Sequence, residues 1–216
     1  MRSDWVPLSA SALVVGAMCL VLGTLLNPTG ADATATETLR AVDQGSARYL
    51  AMAVVYVLGS ISLTLGLPAV LTLFERRAQR FGLVAVAVLS VGTIGTCGFG
   101  MLMAFFRAMV INKSLSVDEL NRLASEQGLT VFVYGWVAGF YCGILLLALA
   151  LLVARATSRW VPGLLVLFVI VQPASAHLGR VGTALQVMAL ALAFTGVATK
   201  AVTLQAQRPA TSLSPR

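Results

Sequence analysis

The stretch TVFVYGWVAGFYCGILLLALALLVA, at residues 130–154, contains no charged side chain. A helix of a soluble protein keeps one polar face, whereas a helix that crosses a bilayer needs roughly 20 consecutive, mostly apolar residues. This stretch is long enough to cross a bilayer and has no continuous polar face. It therefore predicts a transmembrane helix.

Further apolar runs surround this stretch, and the sequence predicts six transmembrane helices in all. Their expected bounds are 6–26, 49–74, 81–106, 130–154, 161–178 and 181–204. We interpret the first run as a retained helix because it is longer than the apolar part of a signal peptide. The fifth run contains Gln172-Pro173, and proline is tolerated in membrane helices. We expect an all-α, polytopic membrane helical bundle that forms one domain over residues 1–204, followed by a disordered cytoplasmic tail at 205–216.

The composition agrees with a membrane protein. Of the 216 residues, 58% are hydrophobic and 11% are charged, whereas a soluble domain has about 25% charged residues. The net charge is +7, but the basic residues lie in short loops between apolar runs. This distribution argues against nucleic acid as a partner and makes the lipid bilayer the expected surroundings.

The distribution of Lys and Arg predicts the orientation, because basic loops stay on the cytoplasmic side. With the N-terminus inside, the cytoplasmic segments hold nine Lys and Arg residues and the outer segments hold six. We therefore predict that both termini are cytoplasmic and that the protein is a multi-pass component of a bacterial cytoplasmic membrane.

The two longer outer loops carry helix-capping patterns. Ser116 and Glu119 have the spacing of a capping box, and Thr34 and Glu37 repeat it. These patterns predict two short amphipathic helices across the outer mouth of the bundle. Ordinary ordered loops are the alternative.

The fourth run contains a stripe of glycines, Gly135, Gly139 and Gly143, at a spacing of four residues. Small residues at this spacing allow another helix to approach closely in a membrane. The stripe predicts a packing face. Its neighbour is either another helix of the bundle or a partner, which could be a different membrane protein or a second copy of the chain.

Five residues are candidates for contact with a ligand or a transport pathway. Tyr134, Trp136 and Tyr141 decorate the fourth run, where they either anchor the helix at the membrane surface or contact a ligand. Gln172 precedes Pro173, and its amide either satisfies the backbone at the proline or lines a cavity. His177 lies near the predicted outer boundary, where it is either a solvated or capping residue or a functional proton site. His177 is the single histidine of the chain, so the sequence predicts no metal site.

The sequence contains none of the common catalytic motifs that we considered. None of its eight acidic residues falls in the middle of a predicted span, although such a residue often marks an ion or proton path. No metalloprotease, nucleophile-elbow or phosphate-loop motif is present. We therefore expect no cofactor, and an enzyme is not the preferred interpretation.

Two short motifs are similar to a bacterial family of six-span membrane proteins that is grouped as a domain of unknown function. They are GADATAT at residues 30–36 and WVPG at residues 160–163. The resemblance implies a six-span bundle. It implies no reaction and no functional residues.

Three functions remain open at this stage. The preferred hypothesis is a non-catalytic membrane component that binds a lipid or a partner protein at its outer mouth. The first alternative is a transporter for a small or lipophilic solute, with Gln172 and His177 in its pathway. The second is an intramembrane enzyme that acts on a lipid or an isoprenoid.

Overall fold

The computed structural model describes residues 5–28, 34–74, 78–177 and 179–207, except for the side chains of residues 174–177 and 179–180. It is 91% helical and has no strand in the part described, which confirms the predicted all-α fold. The helices are α1 (Trp5–Leu26), α2 (Ala35–Gln44), α3 (Ser46–Leu71), α4 (Gln79–Ile111), α5 (Val117–Ala124), α6 (Gln127–Ala154), α7 (Trp160–His177) and α8 (Gly179–Gln207). A 3-10 turn, Thr72–Phe74, extends α3.

Five of these helices are long and apolar enough to cross a membrane, namely α1, α3 with its 3-10 turn, α4, α6 and α8. The apolar part of α7 is shorter and covers Trp160–Pro173. The bundle thus has five clear candidate spans and one short apolar helix, where the sequence predicted six spans. α8 continues to Gln207, beyond the predicted end at 204, and residues 208–216 of the predicted tail lie outside the described part of the chain.

The long helices pack as a closed ring. Going round the ring, α1 contacts α3, α3 contacts α4, α4 contacts α6, α6 contacts α7, α7 contacts α8, and α8 returns to α1. Apolar residues from all six helices form one core. We call the end of the bundle that carries α2 and α5 the capped end. The opposite end, where α6 leads into α7, is the basic end.

Ser9 shows how a polar side chain stabilises a proline-containing helix. Pro68 lies inside α3, and proline disturbs the backbone hydrogen bonds of the preceding turn. The Ser9 hydroxyl, on α1, lies 2.7 Å from the Leu65 carbonyl oxygen, to which it donates, and it accepts the Ala69 N–H at 3.1 Å. It therefore satisfies backbone groups of α3 next to the proline and joins α1 to α3.

The two predicted short amphipathic helices are present as α2 and α5, and both lie at the capped end. Each begins with a complete capping box, formed by Thr34 with Glu37 and by Ser116 with Glu119. The backbone N–H of the capping residue donates to the glutamate and lowers the pKa of Glu37 and of Glu119 below its usual value. α2 packs against α3, α4 and α5, whereas α5 has no buried residue.

Arginines at the capped end bond to the backbone of neighbouring segments. The Arg48 guanidinium donates to the carbonyl oxygens of Leu25 and Leu26 at the end of α1. These carbonyls lack partners within their own helix, and the guanidinium supplies the missing hydrogen-bond donors. Its positive charge also interacts favourably with the negative end of the helix dipole. Arg107 Nε donates to the Ser46 carbonyl oxygen at 2.7 Å and ties α4 to the start of α3.

Candidate functional site

The interface between α4 and α6 is tightly closed over the part nearer the basic end. A Cβ atom added at Gly143 would lie 2.6 Å from Leu89 Cα, and one at Gly92 would lie 2.5 Å from Phe140 Cα. In both places the neighbour is backbone, which cannot move aside without displacing a helix. We call this part of the interface the closed half.

The same two helices separate toward the capped end. A Cβ atom at Gly139 would still lie 3.9 Å from Gly92 Cα, but Gly98 and Gly135 have no neighbouring atom within 4 Å of that position. Between these regions a Cβ atom at Gly95 would meet the ring of Trp136 at 2.5 Å. The part of the interface from Gly95 to the capped end is the open half.

A cavity of about 650 Å³ lies between α4 and α6 in the open half. Its walls come from α4 and α6 and include Gly98, Phe99 and Trp136. It extends between the helices as far as Leu20 of α1, Tyr56 of α3 and Gln172 of α7. We call this space the α4–α6 cavity.

A cluster of hydrogen bonds lies at the deep end of the cavity. The Tyr141 hydroxyl donates to Gln172 Oε1 at 2.8 Å. Gln186 Nε2 donates to the same Gln172 oxygen at 2.9 Å and to the Phe168 carbonyl oxygen at 2.9 Å. The cluster therefore joins α6, α7 and α8 through neutral polar groups.

The ring of Tyr141 is held by aromatic packing as well. It stacks on Phe168 with ring centroids 5.4 Å apart and planes at 17°. Phe140 packs edge-on against both rings. Offset stacked and edge-to-face pairs are the favourable arrangements for aromatic rings, so the Tyr141 hydroxyl has a fixed position beside the cavity.

Tyr56 lines the cavity from α3 and makes one long polar contact. Its hydroxyl lies 3.4 Å from Thr24 Oγ1, and the Thr24 hydroxyl lies 2.9 Å from the Leu20 carbonyl oxygen. A hydroxyl has one proton, and Thr24 donates its proton to Leu20. Tyr56 is therefore the donor in the long contact, which exceeds the usual O–H···O distance of about 2.7–2.8 Å.

The structure brings three of the five predicted candidates together. Trp136, Tyr141 and Gln172 all line the α4–α6 cavity. Tyr134 is 69% exposed and is not among the lining residues. The side chain of His177 lies outside the described residues, so its proposed role in a pathway stays a prediction.

Two residues of the site, Gln186 and Tyr56, were not among the sequence candidates. Gln186 is only 4% exposed. A signal for it was available, because it is an isolated amide in an apolar run and an amide in a membrane must find hydrogen-bond partners. Tyr56 gave no comparable signal, since tyrosine is also an ordinary component of membrane helices.

The glycine stripe of α6 is divided between the two halves. Gly143 packs against α4, and Gly139 lies near Gly92, as expected for a packing face within the bundle. Gly135 is exposed, and no atom of the described residues lies within 4 Å of a Cβ atom placed there. A partner protein or second copy at Gly135 stays a prediction.

The chemistry of the cavity is neutral throughout. None of the residues that line it carries a charge, and its polar groups are the phenols of Tyr56 and Tyr141, the Gln172 amide, the Thr96 hydroxyl and the Trp136 indole. These groups form hydrogen bonds but are poor acids and bases near neutral pH. The arrangement suits binding of an uncharged, mostly apolar molecule.

No protein-family model, no curated protein and no solved structure matches this chain. The resemblance carried by residues 30–36 and 160–163 therefore stays a prediction, and residues 30–33 lie outside the described part of the chain. The candidate site depends on its geometry alone.

Proposed function

We propose that this protein is a non-catalytic membrane component that binds one lipophilic molecule in the α4–α6 cavity. The observation that carries the proposal is the cavity of about 650 Å³ between two helices that otherwise touch backbone to backbone. Its size lies within the 300–1,000 Å³ that is typical of ligand sites. In a bilayer, a cavity with apolar walls would take up a hydrocarbon chain or a similar molecule.

The α4–α6 interface is closed toward the basic end, which favours binding over transport. A transport path must be reachable from both sides of the membrane, but the backbone contacts at Gly92 and Gly143 close the interface toward the basic end. The polar groups beside the cavity are neutral hydrogen-bonding groups, which support binding more than acid–base catalysis. A small-solute transporter and an intramembrane enzyme remain weaker proposals.

We further propose that the capped end faces outward from a bacterial cytoplasmic membrane and that both termini are cytoplasmic. Carboxylates supply part of the support, because all those in the described part of the chain belong to α2, α5 or the cap of α6. They are Glu37, Asp43, Asp118, Glu119 and Glu126. In this orientation the α4–α6 cavity opens within the outer half of the membrane.

A pair of glycine substitutions tests the proposed function. Gly98→Leu puts a side chain into the cavity, whereas Gly135→Leu adds the same side chain in the same half of the interface but outside the cavity lining. Neither position has a neighbour within 4 Å of the new Cβ atom, so both variants should fold.

The measurement is native mass spectrometry of protein extracted gently in its own lipids. Wild type and Gly135→Leu should retain one lipophilic molecule per chain, and Gly98→Leu should lose it. Equal retention by all three proteins would place the molecule elsewhere. A wild type without bound molecules would rule out a stable complex and, with it, the proposal.

A further inference from the structure

We infer that the molecule bound in the α4–α6 cavity is an uncharged lipophile with a carbonyl oxygen, and that the Tyr56 hydroxyl donates a hydrogen bond to that oxygen. The inference rests on the proposed function and names the chemical class of its ligand. It follows from the lack of charge in the cavity lining and from the hydrogen-bond donors that line it.

The lack of charge in the cavity lining argues against a phospholipid headgroup. No lysine, arginine, aspartate or glutamate lines it, and a charged group without a partner is strongly disfavoured inside a membrane. A phosphate or ammonium group would lose its hydration there and gain no opposite charge. The ligand must therefore be neutral in the part that reaches the deep end.

The donors of the site decide which neutral group fits. The Tyr141 hydroxyl already donates to Gln172, and the Thr96 hydroxyl donates to the Gly92 carbonyl oxygen at 3.0 Å. The Tyr56 hydroxyl has only the long contact with Thr24. The Trp136 indole, which is a donor only, makes no hydrogen bond to any residue that the structure describes.

The cavity thus offers donors that lack a good acceptor. A hydrocarbon supplies no acceptor, and an alcohol adds another donor that would itself need a partner. A carbonyl group supplies acceptor lone pairs without a proton. A lipophile with one or more carbonyl groups, such as a quinone on an isoprenoid chain, therefore matches both the apolar walls and the two available donors.

The test compares two probes of similar length: a prenyl benzoquinone and the corresponding prenyl hydrocarbon. Binding of each radiolabelled probe is measured on the full-length protein in detergent micelles, with Gly98→Leu as the blocked control. We expect the quinone to bind about tenfold more tightly than the hydrocarbon, as one added hydrogen bond would give. Gly98→Leu should abolish binding of both probes.

Tyr56→Phe separates recognition from packing, because it removes the hydroxyl and keeps the ring that packs against Gly23. It should weaken quinone binding about tenfold and leave hydrocarbon binding unchanged. Tyr134→Phe is the matched control, since Tyr134 is 69% exposed and is not among the residues that line the cavity. It should change neither affinity.

The outcomes distinguish this inference from the proposed function. Equal binding of both probes, blocked by Gly98→Leu, would overturn the carbonyl inference but leave the cavity as a lipophile site. Quinone binding that Tyr56→Phe does not weaken would also overturn it. If neither probe binds to wild type, the proposed function falls together with the inference.

Discussion

Both halves of the α4–α6 interface contain glycines, but the two helices touch in the closed half and are separated in the open half. In the closed half, Gly92 and Gly143 face the backbone of Phe140 and Leu89, and the helices touch. In the open half, Gly98 and Gly135 face no atom within 4 Å, and a cavity of about 650 Å³ lies beside Gly98.

The difference comes from what lies opposite each glycine. At Gly95 the opposing group is the ring of Trp136, and Trp136 also packs edge-on against Phe132, with centroids 5.4 Å apart. An aromatic ring between two helices holds them apart, whereas a glycine opposite backbone lets them meet. A stripe of small residues therefore allows close packing, but the residues facing it decide where that packing occurs.

The largest effect should come from filling the closed half. Gly143→Leu places a Cβ atom 2.6 Å from Leu89 Cα, and overpacking a core costs about 1–3 kcal/mol and occasionally more. Because the neighbour is backbone, which cannot move aside, we expect the upper end of that range. We expect a large loss of thermal stability in lipid nanodiscs, measured by the unfolding temperature. The matched variant Gly135→Leu should unfold close to wild type, and similar losses in both would remove the distinction between the halves.

An intermediate effect should come from the hydrogen bonds that join α8 to α7. Gln186→Leu removes both donations from Gln186, to Gln172 and to the Phe168 carbonyl oxygen. Hydrogen bonds between membrane helices contribute about 1 kcal/mol each, so the free energy of unfolding should fall by about 2 kcal/mol. Reversible unfolding in mixed micelles measures it.

Thr195→Val is the control for this variant. The Thr195 hydroxyl donates to the Ala191 carbonyl oxygen of its own helix, so its loss removes no contact between helices. A cost for Gln186→Leu no larger than that for Thr195→Val would show that these hydrogen bonds do not hold α8 against α7.

The smallest effect should appear in the short helices at the capped end, and α5 should show it most clearly because it has no buried residue. The Ser116 N–H donates to Glu119 and lowers the pKa of that carboxyl. A group whose pKa is lower in the folded state stabilises the fold above its unfolded pKa, and that contribution is lost as the pH falls through the folded pKa. Acidification below the usual range of a glutamate should therefore loosen α5.

Hydrogen exchange at pH 7 and at about pH 3, corrected for the intrinsic rate, measures this change. Glu119→Gln, which retains a hydrogen-bonding side chain but does not titrate in this range, should show a smaller difference between the two values. Amides near Leu89 and Gly143 should not respond, and a uniform response along the chain would point to global unfolding instead.

The membrane helices and the two short helices, α2 and α5, were predictable because their sequence signals are local. Apolar length marks each membrane helix, and the Thr34–Glu37 and Ser116–Glu119 pairs mark the starts of α2 and α5. Both kinds of signal depend on residues close together in the chain. The length and capping rules therefore carry over from sequence to structure without knowledge of the tertiary fold.

The site was predictable only in part, because it depends on how helices face one another. Trp136, Tyr141 and Gln172 attracted attention as polar or aromatic residues in apolar runs, and they meet at the cavity. The separation of α4 from α6 depends on the register that places Gly95 opposite Trp136. The sequence of either helix alone does not show how the two helices are aligned. The cavity and the position of Tyr56 beside it could therefore not be predicted from the sequence.

The most direct test of the proposed ligand site is a cryo-electron microscopy density map of the wild-type protein in nanodiscs of its native lipids. A bound antibody fragment would enlarge the particle so that its images can be aligned. We expect α4 and α6 to be in backbone contact at Gly92 and Gly143. We also expect continuous non-protein density beside Gly98 that reaches toward Tyr56. Helices in contact along their whole length, with no such density, would contradict the proposed ligand site.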